Sequence, residues 1–121
     1  MRAMLIAATG ARHVRRALPG LLCLCVCLGA SAGGPTRAKP ATHTVVIDGV
    51  QFSPASLHAK VGDTVVWVNK DPFPHTATAA GKFDSGSIAS GAKWRYKLKA
   101  KGSISYICSF HPNMLATIVV E

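Results

Sequence analysis

The sequence has few of the features that mark membrane, helical or disulfide-stabilised proteins. Its longest apolar run, residues 17–28, is shorter than the roughly 20 residues of an ordinary membrane span. No stretch has the apolar periodicity of a long helix, and no internal repeat is present. Acidic residues are scarce, at 5 against 14 Lys and Arg. These absences favour a small, basic, β-rich protein.

The first 32 residues have the composition of a secretory signal peptide. Four arginines precede the apolar run, and Ala30-Ser31-Ala32 follows it as a cleavage site. A basic segment, an apolar segment and a small-residue site in this order are typical of exported proteins. We therefore predict a signal peptide at residues 1–32 and export to a bacterial periplasm, with an uncleaved N-terminal anchor as the alternative.

Removal of this leader would leave a single cysteine. Cys23, Cys25 and Cys27 lie within the leader, so Cys108 would have no partner for an internal disulfide. A free thiol is a liability in an oxidising compartment. Metal ligation would explain it, and a buried structural thiol is the alternative.

The remaining chain consists of an arm and one domain. Residues 33–41 are rich in Gly and Pro, which predicts a flexible N-terminal arm. Residues 42–121 alternate short β-like segments with turns, including a turn at Phe52-Ser53-Pro54 and a loop at 81–91. Strands are predicted at residues 42–48, 56–59, 64–69, 75–79, 92–100, 103–108 and 115–120. Seven or eight such strands predict an all-β sandwich.

The most informative segment is Cys108-Ser109-Phe110-His111-Pro112-Asn113-Met114. It holds a thiolate, an imidazole and a thioether, with two residues between each ligand and the next. A second imidazole, that of His75, follows a proline-rich turn at residues 70–74. Two His, one Cys and a weak Met are the ligands of a blue-copper electron-transfer site. Because residues 109–114 are predicted as an end loop, the four side chains can meet at one end of the sandwich.

The other candidate ligands have simpler explanations. His43 and His58 have no ligand partner nearby in sequence, so they are interpreted as ordinary strand residues. Taken alone, Met114 would be core filler and His75 a surface histidine. The set spacing of Met114 relative to Cys108 and His111 favours the metal site, and so does the position of His75 at a strand entry directly after Pro74.

A row of cations occupies residues 92–100. Lys93, Arg95, Lys97 and Lys99 alternate with Trp94, Tyr96 and Leu98, which predicts a cationic outer face and an apolar inner face. The row is most simply a solvated face, and it would also steer an acidic redox partner. A nucleic-acid surface is disfavoured because an exported protein rarely meets nucleic acid.

At these residues the chain resembles the cupredoxins, the small blue-copper proteins, and most closely their plastocyanin and amicyanin branch. The resemblance covers about residues 42–121. It depends on the following motifs: Phe52-Ser53-Pro54, Val61-Gly62-Asp63-Thr64-Val65, Trp67-Val68-Asn69, Pro74-His75, Phe83-Asp84-Ser85-Gly86 and Tyr106-x-Cys108-x-x-His111-Pro112-x-Met114. It implies a cupredoxin-like Greek-key β-sandwich.

The resemblance also implies roles for individual residues. His75, Cys108 and His111 would be the strong ligands of one type 1 copper ion, Cu(II) or Cu(I), and Met114 the weak axial ligand. His111 would lie on the exposed side of the metal. Phe73, Pro74, Phe110 and Pro112 would then form an apolar docking patch around it.

Two supporting roles are implied as well. The backbone N–H of Thr76 would donate a hydrogen bond to the sulfur of Cys108. Asn69 would be a structural residue that supports the ligands without binding the metal. Many members of the family have Asn where this chain has Thr76. That difference leaves open how the side chains brace the two ligand loops against each other.

We therefore predict an exported electron carrier that exchanges electrons with redox-protein partners at the patch around His111. The predicted carrier is a monomer with no membrane span in its mature form, and it binds no nucleic acid. It is not an enzyme, since four protein ligands leave no open position on the metal for a substrate. The alternatives are a periplasmic copper-binding or copper-delivery protein that uses the same residues, and a purely structural β-sandwich.

Overall fold

The β-branched and aromatic segments of the chain form strands in two sheets. The computed structural model describes residues 33–121, and the predicted signal peptide lies outside these residues. The strands are β1 (Thr42–Asp48), β2 (Gln51–Ser53), β3 (Ser56–Ala59), β4 (Thr64–Asn69), β5 (Thr78–Ala79), β6 (Phe83–Asp84), β7 (Lys93–Lys97), β8 (Gly102–Cys108) and β9 (His111–Val120).

One sheet has the strand order β2-β1-β4-β7, and the other has the order β3-β9-β8-β5-β6. The predicted all-β sandwich is thus confirmed, with nine strands within residues 33–121 instead of seven or eight. β1 pairs in parallel with β4, and β3 with β9. Residues 33–41 have no regular secondary structure, and the division into leader, arm and domain stays a prediction. No helix within the described part of the chain is long and apolar enough to cross a membrane.

Two short strands occupy segments that were predicted as a turn and a loop. β2 includes Phe52 and Ser53 of the predicted turn, and β6 lies inside the predicted loop. The chain instead turns at Gly49 and Val50, which both have a positive φ, of 60° and 59°. A β-branched residue rarely adopts that conformation, so Val50 gave no turn signal in the sequence.

The strand predicted at residues 75–79 is shorter than expected. Only Thr78 and Ala79 belong to β5, and His75 forms an isolated bridge with Ile88. The N–H groups of Thr76 and Ala77 donate to side chains, Cys108 Sγ at 3.3 Å and Ser85 Oγ at 2.8 Å. Side-chain acceptors therefore hold the segment that carries His75.

The predicted end loop at residues 109–114 is wrong in length. Only Ser109 and Phe110 turn, and β9 begins at His111 instead of Leu115. Cys108 pairs with His111 while Ile107 pairs with Leu115, so the register shifts between these two pairs. The apolar pattern starts at Leu115, whereas the backbone pairing starts four residues earlier, which sequence periodicity does not reveal.

A cluster of aromatic side chains lies within the otherwise aliphatic core between the sheets. Trp67 is fully buried, and its ring centroid lies 5.4 Å from Phe83, 5.2 Å from Trp94 and 5.5 Å from Tyr106. The alternation predicted along β7 is confirmed, because its cations are exposed and Trp94 and Tyr96 pack against the core. Truncating a buried aromatic of this kind typically costs about 3–5 kcal/mol. This cluster supports β8, the strand that ends at Cys108.

Asp63, at the end of the domain opposite Cys108, ties the arm to the sandwich. Its carboxylate accepts hydrogen bonds from the N–H groups of Ala41 at 2.8 Å and Lys60 at 3.0 Å, and pairs with the His43 ring at 2.8 Å. The His43 ring and these two N–H groups lower the pKa of Asp63 from 3.8 to about 2. His43 lies in β1, and its ring pairs with the Asp63 carboxylate.

Asp63 makes the stability of the domain depend on pH. Because its folded pKa lies below the unfolded value, its contribution is full above about pH 4 and is lost as the pH falls toward 2. We expect Asp63→Asn to lower the denaturant midpoint at neutral pH and to flatten its pH dependence below pH 4. Guanidinium titrations of both proteins, with the exposed Asp48→Asn as control, measure this. A variant that keeps the original acid dependence would contradict the assignment.

Candidate metal centre

Three side chains predicted as ligands converge at one end of the sandwich. The Cys108 Sγ atom lies 3.7 Å from Nδ1 of His75 and 3.7 Å from Nδ1 of His111. The three ligand atoms all lie within 4.8 Å of one another. His75 and Cys108 are 0% exposed, whereas His111 is half-buried.

The donor set and its spacing fit one transition-metal ion. A metal–sulfur and a metal–nitrogen bond together span about 4.3 Å. This exceeds the 3.7 Å from the sulfur to each Nδ1, so one ion can bridge the sulfur and either imidazole. A thiolate with two imidazoles suits copper, and the soft sulfur favours Cu(I). One type 1 copper ion therefore fits the site.

Met114 reaches the same end of the domain from β9. It is 3% exposed and lines one depression together with His111 and Val50. Its thioether is a weak ligand of the kind found on the axis of blue-copper sites. Met114 continues the buried side of β9 that Ala116, Ile118 and Val120 form, so it lies inward while its neighbours Asn113 and Leu115 are exposed.

The sulfur of Cys108 accepts the hydrogen bond that the resemblance implied. The backbone N–H of Thr76 donates to it at 3.3 Å. Hydrogen bonds to the cysteine sulfur are one of the means by which proteins tune the potential of such sites. Since Thr76 directly follows His75, one short segment supplies both a ligand and this donor.

Asp71 supports the site, and sequence reasoning missed it. Its Oδ2 atom lies 2.7 Å from Nε2 of His75 and accepts the N–H of Val50 at 2.9 Å, while Oδ1 accepts the N–H of Gly49 at 2.7 Å. The N–H of Val50, together with Gly49 and the His75 ring, lowers the pKa of Asp71. A carboxylate at Nε2 holds the proton there and leaves Nδ1 of His75 free for a metal.

Asn69 organises the turn between β4 and His75, as the resemblance implied. Its amide donates to the carbonyl oxygens of Phe73 at 2.8 Å and Ile88 at 2.9 Å, and its Oδ1 accepts the N–H of Asp71 at 2.9 Å. These bonds shape the proline-rich turn and place Asp71 next to His75. The only sequence signal for Asp71 was its spacing of four residues before His75.

Apolar side chains surround the half-buried His111. Phe73 is 41% exposed and Phe110 is 53% exposed, and the Phe73 ring lies 6.1 Å from that of His111. Pro74 and Pro112 are exposed beside them. His58 is remote from this end, with its ring 3.7 Å from the Glu121 carboxylate.

Comparison with known proteins agrees with this geometry. Residues 41–121 match the model of the family described as copper binding proteins, plastocyanin/azurin family. The amicyanin of Paracoccus denitrificans is 30% identical over 96 residues, which cover 69% of this chain and 70% of the relative. Amicyanin-alpha of Methylorubrum extorquens is 30% identical over 105 residues, covering 78% and 85%. A Cu(I) structure of an amicyanin variant superposes with a TM-score of 0.64 at 26% identity, covering 66% of this chain and 82% of that one.

The chain belongs to the plastocyanin/azurin family of copper-binding proteins. The predicted cupredoxin fold and the predicted copper cofactor are thereby confirmed. At the level of the family, this membership supports a blue-copper electron carrier.

The contact between Asp71 and His75 can be tested through copper binding. We expect Asp71→Ala to weaken Cu(II) affinity about 10–100-fold, because the His75 ring loses the group that fixes its tautomer and orientation. Competition with a chelator of known affinity measures the change. The exposed Asp48→Ala is the matched control and should bind as the wild type does. Equal affinities for all three proteins would show that Asp71 has no such role.

Proposed function

We propose that this protein is an exported electron carrier whose copper is held by His75, Cys108, His111 and Met114. The observation that carries the proposal is the convergence of one buried thiol with the Nδ1 atoms of two histidines at 3.7 Å. When bound, copper supplies a one-electron couple between Cu(II) and Cu(I).

Two of the ligands are buried and hold the site in place, and a third connects it to the surface. His75 and Cys108 are fully buried, so they hold their positions and keep solvent away from the inner side of the site. His111 is half-buried and reaches the surface, which makes its ring the exit for the electron. Four protein ligands leave no position for a substrate, so we infer no independent catalysis.

Copper delivery by the same residues is the alternative function. A delivery protein has to release its ion to an acceptor, and the burial of Cys108 and His75 opposes release. Slow exchange of copper with a chelator supports electron transfer, whereas fast transfer of Cu(I) to an acceptor supports delivery.

The surface around the site suits a redox protein with an apolar and acidic face. The docking patch of Phe73, Pro74, Phe110 and Pro112 supplies the apolar contact. Among residues 33–121, no Lys or Arg lies within 4.0 Å of a carboxylate, and Asp63 and Asp71 are buried. The exposed charge is therefore mostly positive, which favours an acidic partner. Export to a periplasm is supported by the composition of residues 1–32.

The direct test of the copper site is a visible absorption spectrum of the leaderless protein after addition of Cu(II). We expect an intense blue band from the thiolate–copper bond, and we expect Cys108→Ala to lose it. Cys108→Ser is a second variant that retains a polar side chain of similar size. A pale solution for the wild type, with weak copper bands alone, would overturn the proposal.

Steering by the cation row can be measured with an anionic redox probe. Lys93 and Arg95 are the members of the row nearest the copper end, since Lys93 pairs with Val68 beside Asn69. We expect Lys93→Glu with Arg95→Glu to slow oxidation by hexacyanoferrate(III) several-fold and to weaken its dependence on salt. Stopped-flow mixing measures the rate constant.

Arg37→Glu with Lys60→Glu changes the net charge equally at the opposite end of the domain and is the control. If both double variants lower the rate constant by the same factor, the change in net charge explains the slower reaction, and steering by the cation row is rejected.

A further inference from the structure

Three hydroxyl groups connect the two segments that carry the copper ligands. Thr76 follows His75, Ser109 follows Cys108, and Thr78 lies beside both in β5. The Oγ atoms are 3.2 Å apart between Thr76 and Ser109, 3.0 Å between Thr76 and Thr78, and 3.0 Å between Ser109 and Thr78. The three oxygens thus form a closed triangle, which we call the hydroxyl triangle.

Asp84 determines the direction of the hydrogen bonds within this triangle. Its Oδ1 atom lies 3.1 Å from Oγ1 of Thr78 and accepts the N–H of Gly86 at 2.9 Å. An ionised carboxylate can only accept, so the single hydroxyl proton of Thr78 points to Asp84. The oxygen of Thr78 is then left to accept, and the protons of Thr76 and Ser109 supply two of the three edges of the triangle.

The Thr76 corner of the triangle contacts the segment that carries Cys108. The N–H of Ser109 donates to Oγ1 of Thr76 at 2.7 Å, and the N–H of Thr76 donates to Sγ of Cys108 at 3.3 Å. Thr76 therefore holds the cysteine segment at two points, through its hydroxyl and through its backbone. Displacing the hydroxyl of Thr76 would move the N–H that the sulfur accepts.

The geometry points to Thr76, Thr78 and Ser109 as positioning residues that, anchored by Asp84, hold the Cys108 sulfur against its N–H donor and so raise the reduction potential. An N–H donated to sulfur stabilises the thiolate most where its charge is greatest, in the reduced state. This inference rests on the proposed function and deepens it. It also answers how the ligand segments are braced in a chain with Thr at position 76.

The test compares Thr78→Val, which removes the hydroxyl at constant shape, with Thr78→Ser, which keeps it. In the copper-loaded protein, we expect Thr78→Val to lower the equilibrium constant for reduction. The limit is about fivefold, reached if the value of one net hydrogen bond is lost in the reduced state alone. In the copper-free protein, we expect faster hydrogen exchange at the Ser109 amide by a similar factor. Thr78→Ser should leave both quantities near the wild-type values. Thr76→Val serves as the second variant if Thr78→Val does not fold.

Two results would overturn the inference. One is a Thr78→Val protein whose potential and Ser109 exchange both match the wild type. The other is an equal shift in Thr78→Val and Thr78→Ser, which would assign the effect to packing. A wild type without the blue band would refute the proposed function, while Ser109 exchange in the copper-free protein would still decide whether the hydroxyl triangle holds the cysteine segment.

Discussion

The copper end of this domain depends on the contacts of one buried carboxylate. Asp71 accepts two N–H groups from the turn between β1 and β2 and pairs with the ring of His75. Two segments that are distant in sequence, the turn at Gly49 and Val50 and the stretch from Asp71 to His75, therefore meet on one side chain. The same carboxylate holds Val50 in a backbone conformation that a β-branched residue rarely adopts, and Val50 in turn lines the depression beside Met114.

Behind these contacts, the sandwich supplies a rigid support. Cys108 ends β8, which lies between β9 and β5 in its sheet and packs through Tyr106 against Phe52 and Trp67. Close-packed interiors resist small displacements, so a ligand at the end of such a strand keeps its position. The site therefore combines a fixed inner half, from β8 and the segment after β4, with a turn that reaches the surface.

The sequence predicted the local parts of this site better than its tertiary parts. The spacing from Cys108 to His111 and Met114 could be interpreted directly, and the period of two along β7 showed its inner face. Asp71, Thr78 and Asp84 could not be identified, because their roles depend on contacts between segments that only the fold brings together. The start of β9 was missed for a related reason, since backbone pairing at His111 leaves no apolar pattern before Leu115.

The two histidines of the site differ in how tightly their rings are held. His75 is fully buried and its second nitrogen is bound to Asp71, whereas His111 is half-buried and pairs with no carboxylate among residues 33–121. Of the two rings, that of His111 is therefore the less confined by its neighbours. An ion entering or leaving would therefore pass on the side of Phe110 and Pro112. That side is also the surface that we propose for docking, so a docked partner would cover the path of the metal.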